Sequence, residues 1–242
     1  MIRAVIFDFY ETLVQLTTAQ REALFDAVAR EVGLDLPPGE AYHHWAVYTT
    51  RDADLRLGGT ERLAFDGEYP PFVRFGDVWK HRSAELLRHW DSDAHEHLVA
   101  DAYVRAHATA PLYPDVRPAI ESLRERYKLA VLSDADTDFI AGALAHNELS
   151  FDTIVTSEDL QTYKPHVSMF REVCARLGVE PGQAVYVGDS PWHDIAGARN
   201  AGMHAVWLNR HGREWPEDID PPETTITSVA ELVDVLTSPT FT

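Results

Sequence analysis

Five short apolar runs, at 4–7, 129–132, 153–156, 184–187 and 205–207, constrain this chain more than any other feature. None of them alternates apolar with polar residues. Each is therefore expected to be buried on both faces, as the strands of a parallel sheet are. Helical patterns at 116–127, 170–177 and 194–201 lie between the later runs. Two of these stop at a glycine, Gly178 or Gly202, the residue that most readily closes a helix. The capping-box spacing Ser228-Val229-Ala230-Glu231 opens a last helix that runs to Leu236. From about residue 112 onward strands alternate with helices, which predicts an α/β fold, a doubly wound parallel sheet of Rossmann-like type.

The first two runs are separated by far more chain than one crossover helix needs. Helical patterns at 19–32 and 78–90 occupy part of that stretch, and no strand alternation is evident in it. The expected organisation is a core formed by residues 1–15 and 109–242, with a smaller helical cap domain at 16–108 that returns near Pro111 and Pro114. The stretch 215–227, with its prolines and acids, reads as surface loop.

Composition narrows the partners. With 45% hydrophobic residues among 242, the chain can bury a sizeable core. It carries 39 Asp and Glu against 21 Lys and Arg, a formal charge of -18, and such a surface repels phosphate backbones; no nucleic-acid partner is expected. No run approaches the length of a membrane span, and Met1 leads directly into the first run without a basic-then-apolar leader, so no membrane partner is expected either. The single Cys174 excludes an internal disulfide and sits on the apolar face of a helical pattern as a core filler. A cytoplasmic protein, monomer or homodimer, is the expectation.

In an open parallel sheet, ligands bind beyond the carboxyl ends of the strands. Asp8 follows the first run and Ser133-Asp134 the second. Thr162-Tyr163-Lys164-Pro165 comes a few residues after the third, and Gly188-Asp189-Ser190-Pro191-Trp192-His193-Asp194 follows the fourth. An aspartate held at a strand end is suited to act as a covalent nucleophile. Asp8, Asp189 and Asp194 converging at one sheet edge make a hard-oxygen site suited to Mg2+. Without a cation, their charges would raise one another's pKa. The Ser133 hydroxyl and the Lys164 ammonium can hold the oxygens of an anion, with Asp134 beside them. Phosphoryl transfer uses this combination of cations and an in-line nucleophile.

These motifs, in this order, resemble those of the haloacid dehalogenase-like (HAD) hydrolase superfamily with a helical cap inserted after the first motif. The resemblance spans residues 2–236. It implies that Asp8 attacks the substrate, that Ser133 binds the transferred group and that Lys164 balances the charge on nucleophile and intermediate. It further implies Mg2+ held by Asp8, Asp189, Asp194 and the backbone carbonyl of Tyr10. The activity it implies is a phosphatase acting on a small phosphorylated metabolite through an aspartyl-phosphate.

Tyr10 departs from the phosphatase pattern, which has an aspartate there to protonate the leaving group and then activate water. A phenol with an ordinary pKa of ~10 is a poor base at neutral pH. The family's 2-haloacid dehalogenases carry tyrosine at this place, work without metal and release a halide that needs no proton. They also replace the metal-binding acid by serine, whereas this chain keeps Asp189 and Asp194. The phosphatase is therefore the favoured reading. A metal-independent dehalogenase forming an aspartyl-ester is the first alternative, and a catalytically weak binding protein is the second.

Other candidates carry less. Glu11 is expected to be solvated or to stand behind the metal, and His193 is placed to reach the mouth of the site. His43, His44, His95 and His97 are expected in helical stretches without metal-binding spacing. Arg51, Arg56, Arg62 and Arg74 of the insert are possible anion contacts. Trp45, Tyr48, Phe72 and Trp79 are expected in the core.

Overall fold

The computed structural model describes residues 1–47, 62–238 and 241. Tyr48, Arg51 and Arg56 lie outside the described residues. Six strands form one all-parallel sheet: β1 (Ala4–Phe7), β2 (Lys128–Ser133), β3 (Thr153–Thr156), β4 (Ala184–Gly188), β5 (His204–Leu208) and β6 (Thr224–Ile226). Their order is β3-β2-β1-β4-β5-β6, so strand order reverses between β1 and β4. Phe7 stands opposite Val131 of β2 on one side and Val187 of β4 on the other.

The absence of alternation in the runs has a direct structural cause. In β1, Val5 and Phe7 face one apolar layer with Val131, Val187, Ile120 and Leu123, while Ala4 and Ile6 face a second with Leu132, Phe170 and Met169. Helices cover both faces: α5 (Val116–Arg124), α6 (Thr137–His146), the short α7 (Ser157–Leu160) and α8 (Val167–Leu177), which closes on left-handed Gly178 at φ 67°. The pattern at 194–201 is not one helix. A π-helical turn, Pro191–Ala196, leads into the short helix α9 (Gly197–Asn200). The capping box at Ser228 is present, followed by a short 3-10 turn and α10 (Leu232–Val235).

The loop expected at 215–227 contains β6, which pairs with β5 from Val206↔Thr224 to Leu208↔Ile226. This strand has three residues, two of them threonine, at a sheet edge. It has no apolar run to betray it.

Between β1 and β2, α1 (Thr18–Glu31), helical residues 40–47 (α2), α3 (Phe75–His89) and α4 (Leu98–Ala108) are the regular structure among the described residues. Thr17 and Gln20 form a reciprocal capping box at the start of α1. Phe25, Trp45, Leu86, Trp90 and Tyr103 build a separate apolar cluster there. At the two crossings into this segment Val14 pairs antiparallel with Leu112, and the Gln15 N–H donates to the Pro111 carbonyl at 2.7 Å. His43 and His44 are helical as expected, but His95 and His97 lie in the turn that precedes α4.

Candidate active site

Strand β1 delivers Asp8 to the sheet edge, where its N–H donates to the Val187 carbonyl at 2.9 Å. The chain then turns sharply. Leu13 and Val14 both donate backbone N–H groups to the Phe9 carbonyl, and Glu11 is left-handed at φ 61°. Lys164 lies just after α7, beyond the end of β3, and its Nζ donates to Asp8 Oδ1 at 2.8 Å and to Asp194 Oδ1 at 2.6 Å. Ser133, the last residue of β2, donates its Oγ–H to the same Asp8 Oδ1 at 3.0 Å. No hydrogen bond to Asp8 Oδ2 is made among the described residues.

Asp194 is brought in by the π-helical turn after β4. Its Oδ2 accepts the Ser190 N–H at 2.9 Å. A Cβ on Gly188 would lie 2.4 Å from Asp194 Cγ, so only glycine lets this carboxylate sit against the end of β4. Oxygens of Asp8, Asp189 and Asp194 all lie within 4.8 Å of one another. Thus the structure brings Asp8, Ser133, Lys164, Asp189 and Asp194 together at the reversal of strand order, the position where ligands of such sheets bind.

Electrostatics follow from burial. Asp8 is pushed up to about 7, first by burial and then by Asp194 and Asp189, with Lys164 opposing. Burial pulls the Lys164 ammonium down, yet Asp194 and Asp8 outweigh it and hold the pKa well above the ordinary value. Asp189 is raised by burial and by Asp194, while Arg213, 2.8 Å from its Oδ2, acts in the other direction. Three acids crowded this way fit a divalent cation, which would relieve the repulsion.

Other residues fall in different places. Tyr10 is half-buried and donates its hydroxyl to the His107 carbonyl of α4 at 3.3 Å. Its ring meets His107 edge-on at 4.9 Å, and burial, then the Asp8 charge, push its phenol above the ordinary range. Asp134 turns to the backbone: its Oδ1 accepts the Lys164 N–H at 2.9 Å. His193 donates through Nδ1 to the Lys164 carbonyl at 3.1 Å and lies 4.0 Å from Asp134. Glu11 points away, accepting the Leu16 N–H and the Tyr113 hydroxyl. Arg62 pairs with Asp218, and Arg74 with Glu158, Asp138 and Asp136. His44 accepts from the Trp90 indole at 3.0 Å and plays no part in the carboxylate cluster.

Three site-supporting residues escape sequence reasoning. The Tyr186 hydroxyl, fully buried in β4, touches Lys164 Nζ at 3.1 Å, Asp194 Oδ1 at 3.1 Å and the Leu132 carbonyl at 2.8 Å. Its one signal was a hydroxyl inside an otherwise apolar run. Asp136, also buried, accepts the N–H groups of Phe75 at 2.9 Å and Gly76 at 2.8 Å, tying the loop after β2 to the start of α3. Arg213 reaches Asp189 from the loop after β5, where no pattern singles out one arginine.

Among the described residues no helix is long and apolar enough to cross a membrane. A family model described as haloacid dehalogenase-like hydrolase matches residues 2–202. The chain is 32% identical to the glyceraldehyde 3-phosphate phosphatase of Methanopyrus kandleri over 98% of its own length and 97% of that protein's. It is 26% identical to (S)-2-haloacid dehalogenase 4A of Burkholderia cepacia, over 97% and 95% of the two chains. A HAD-hydrolase of Bacillus subtilis, solved bound to magnesium, shares the fold with a TM-score of 0.77 at 20% identity, over 98% of this chain and 99% of that one. Relatives thus include both phosphatases and 2-haloacid dehalogenases. With the parallel sheet, the motif residues at its edge and a family model matching most of its length, this chain belongs to the haloacid dehalogenase-like hydrolases.

Proposed function

We propose that the chain is a Mg2+-dependent phosphatase of small phosphorylated metabolites, working through an aspartyl-phosphate on Asp8. The observation that carries this reading is Asp189 beside Asp8 and Asp194, with oxygens of all three within 4.8 Å. Lys164 is already shared between Asp8 and Asp194. A third carboxylate so close to the nucleophile is therefore costly unless more positive charge than Lys164 and Arg213 supply shares the site. Held by Asp8, Asp189, Asp194 and the backbone carbonyl of Tyr10, Mg2+ would supply positive charge against the oxygens of the transferred group.

The chain's own residues divide the rest of the work. Ser133 and Lys164 both bind Asp8 Oδ1, which leaves Oδ2 as the oxygen free to attack phosphorus. The bond from phosphorus to the leaving oxygen breaks as the new bond to Oδ2 forms, and the leaving oxygen takes the electron pair. Lys164 and Ser133 compensate charge on the attacked group. Water then cleaves the acyl phosphate, releasing inorganic phosphate and restoring Asp8. Tyr10 is committed to the His107 carbonyl and stays protonated, so it does not serve as the base. The helical cap at 16–108 closes over the core of 1–15 and 109–242, excluding bulk water and selecting the substrate.

Tyr10 and the likeness to a 2-haloacid dehalogenase favour a second reading, displacement of halide by Asp8 without metal. Purified protein assayed with p-nitrophenyl phosphate, acetyl phosphate and 2-chloropropionate, each with Mg2+ and with EDTA, separates the two. Phosphate release abolished by EDTA is the expected result. Chloride release indifferent to EDTA overturns the phosphatase, and no turnover with retained Mg2+ binding indicates a protein that binds without catalysing.

A further inference from the structure

A cavity of about 250 Å3 adjoins the carboxylate cluster and shares Asp189 with it. Its walls come from both sides of the site. Thr18 and Arg21 belong to the first turn of α1, His211 and Arg213 to the loop after β5, and Glu11 to the turn after β1.

The guanidinium groups there keep donor atoms that the two acids do not use. Glu11 already accepts the Leu16 N–H at 3.0 Å and the Tyr113 hydroxyl at 3.2 Å. Arg21 approaches Glu11 to 3.6 Å and hydrogen-bonds the Tyr103 side chain, while its Nε is buried without a hydrogen-bond partner among the described residues. His211, about half exposed, stands 3.4 Å from Glu11. Arg213 serves Asp189 through Nη2 alone; its Nη1 and Nε make no hydrogen bond among the described residues. In a chain of formal charge -18, the meeting of two guanidinium groups, Arg21 and Arg213, around one cavity stands out. It makes a local attraction for anions, and guanidinium groups present paired donors that match an oxyanion.

We propose that this cavity binds a carboxylate of the same molecule whose phosphoryl group is handled at Asp8, so that the substrate is a small phosphorylated carboxylic acid. The inference rests on the phosphatase reading for the phosphoryl end only. A carboxylate suits the cavity better than a second phosphate. It carries one negative charge rather than nearly two, and Glu11 and Asp189 stand in the same wall. Recognition from α1 on one side and the loop after β5 on the other also gives the segment that begins at α1 a direct reason to close on an acid-bearing substrate.

Binding tests this without turnover. The full chain in Mg2+ is titrated calorimetrically with phosphonoacetate, methylphosphonate and malonate. Charge-assisted hydrogen bonds of this kind make phosphonoacetate bind roughly tenfold or more tightly than methylphosphonate. Arg21→Gln removes most of that advantage, and Arg213→Gln is the second variant should the first fold poorly. Equal affinity of the two phosphonates, or a substitution that weakens both alike, overturns the inference. Malonate binding as tightly as phosphonoacetate, with no Mg2+-dependent phosphate release from acetyl phosphate, upholds the carboxylate site and overturns the phosphatase reading instead.

Discussion

Asp8 and Ser133 were legible because each follows directly on an apolar run, and Asp189 and Asp194 because they sit in the polar stretch beyond the fourth run, where a polar side chain has no packing role. Tyr186, Asp136 and Arg213 were not, since their roles arise from contacts across elements that no local pattern encodes. Tyr10 is the residue where sequence and site together say most. Its hydroxyl is spent on the His107 carbonyl, and Glu11 does not replace it, being turned toward Leu16 and Tyr113. On the phosphatase reading, leaving groups that depart as stable anions should be favoured. Tyr10→Asp is expected to raise kcat/KM for alkyl phosphates by about tenfold or more, in the range typical of general acid catalysis, while changing p-nitrophenyl phosphate much less. An unchanged or lower rate on alkyl phosphates would refute this account of the position. His107 carries a pH prediction of its own. Burial, opposed only in part by its bond to the Tyr103 carbonyl, lowers its pKa from 6.5 to about 3. Below pH 6.5 the unfolded chain takes up a proton there that the folded chain refuses until about pH 3. The stability this residue contributes is therefore lost as pH falls through that window. Relative to His107→Gln, the native protein should melt progressively earlier on acidification, and a pH-independent difference between the two would count against a buried neutral imidazole.

At the scale of elements, long and strongly patterned segments were readable and short ones were not. Five strands and the helices α1, α3, α5 and α8 follow from apolar periodicity, with ends displaced by a few residues. β6 was invisible as three edge residues, and the π-helical turn at Pro191–Ala196 broke a pattern that reads as one regular helix. That turn is functional geometry, since it brings Asp194 back onto the end of β4, against a glycine. The start of α3 is likewise set from outside its own sequence. Arg74, at the cap position, makes no side-chain capping bond, and buried Asp136 supplies the acceptor for the first two N–H groups. Removing it takes the Asp136 acceptor from both N–H groups, and a buried donor that loses its acceptor costs on the order of 1–3 kcal/mol. Asp136→Ala is expected to lower unfolding free energy by about 2 kcal/mol in urea titrations. It should also speed amide exchange at Phe75 and Gly76 well beyond that at β1. Uniform acceleration across the chain would mean that Asp136 supports the fold generally and does not pin α3 to the loop that follows Ser133.

For the whole molecule, the order β3-β2-β1-β4-β5-β6 explains why one edge carries the chemistry. Reversal between β1 and β4 sends successive crossover helices to opposite sides and opens a crevice at the carboxyl ends of those two strands. Asp8 and the pair Asp189 and Asp194 come from those strands, so acids far apart in sequence meet by topology alone. The protein as a whole is strongly acidic, and concentrating three more carboxylates at a buried edge opposes folding unless positive charge is placed there. Lys164 supplies one charge within the cluster and Arg213 a second from outside. Because a divalent cation would bind the assembled trio and not the unfolded chain, its binding adds directly to stability, by about 2.7 kcal/mol at a hundredfold excess over Kd. The melting temperature should therefore rise with Mg2+ and level off, while NaCl at matched ionic strength fails to reproduce the rise. Asp189→Asn should remove most of the Mg2+ effect and, by relieving repulsion, raise the metal-free midpoint. A midpoint that responds equally to both salts, or an unchanged Mg2+ response in Asp189→Asn, would take the metal out of the proposed function.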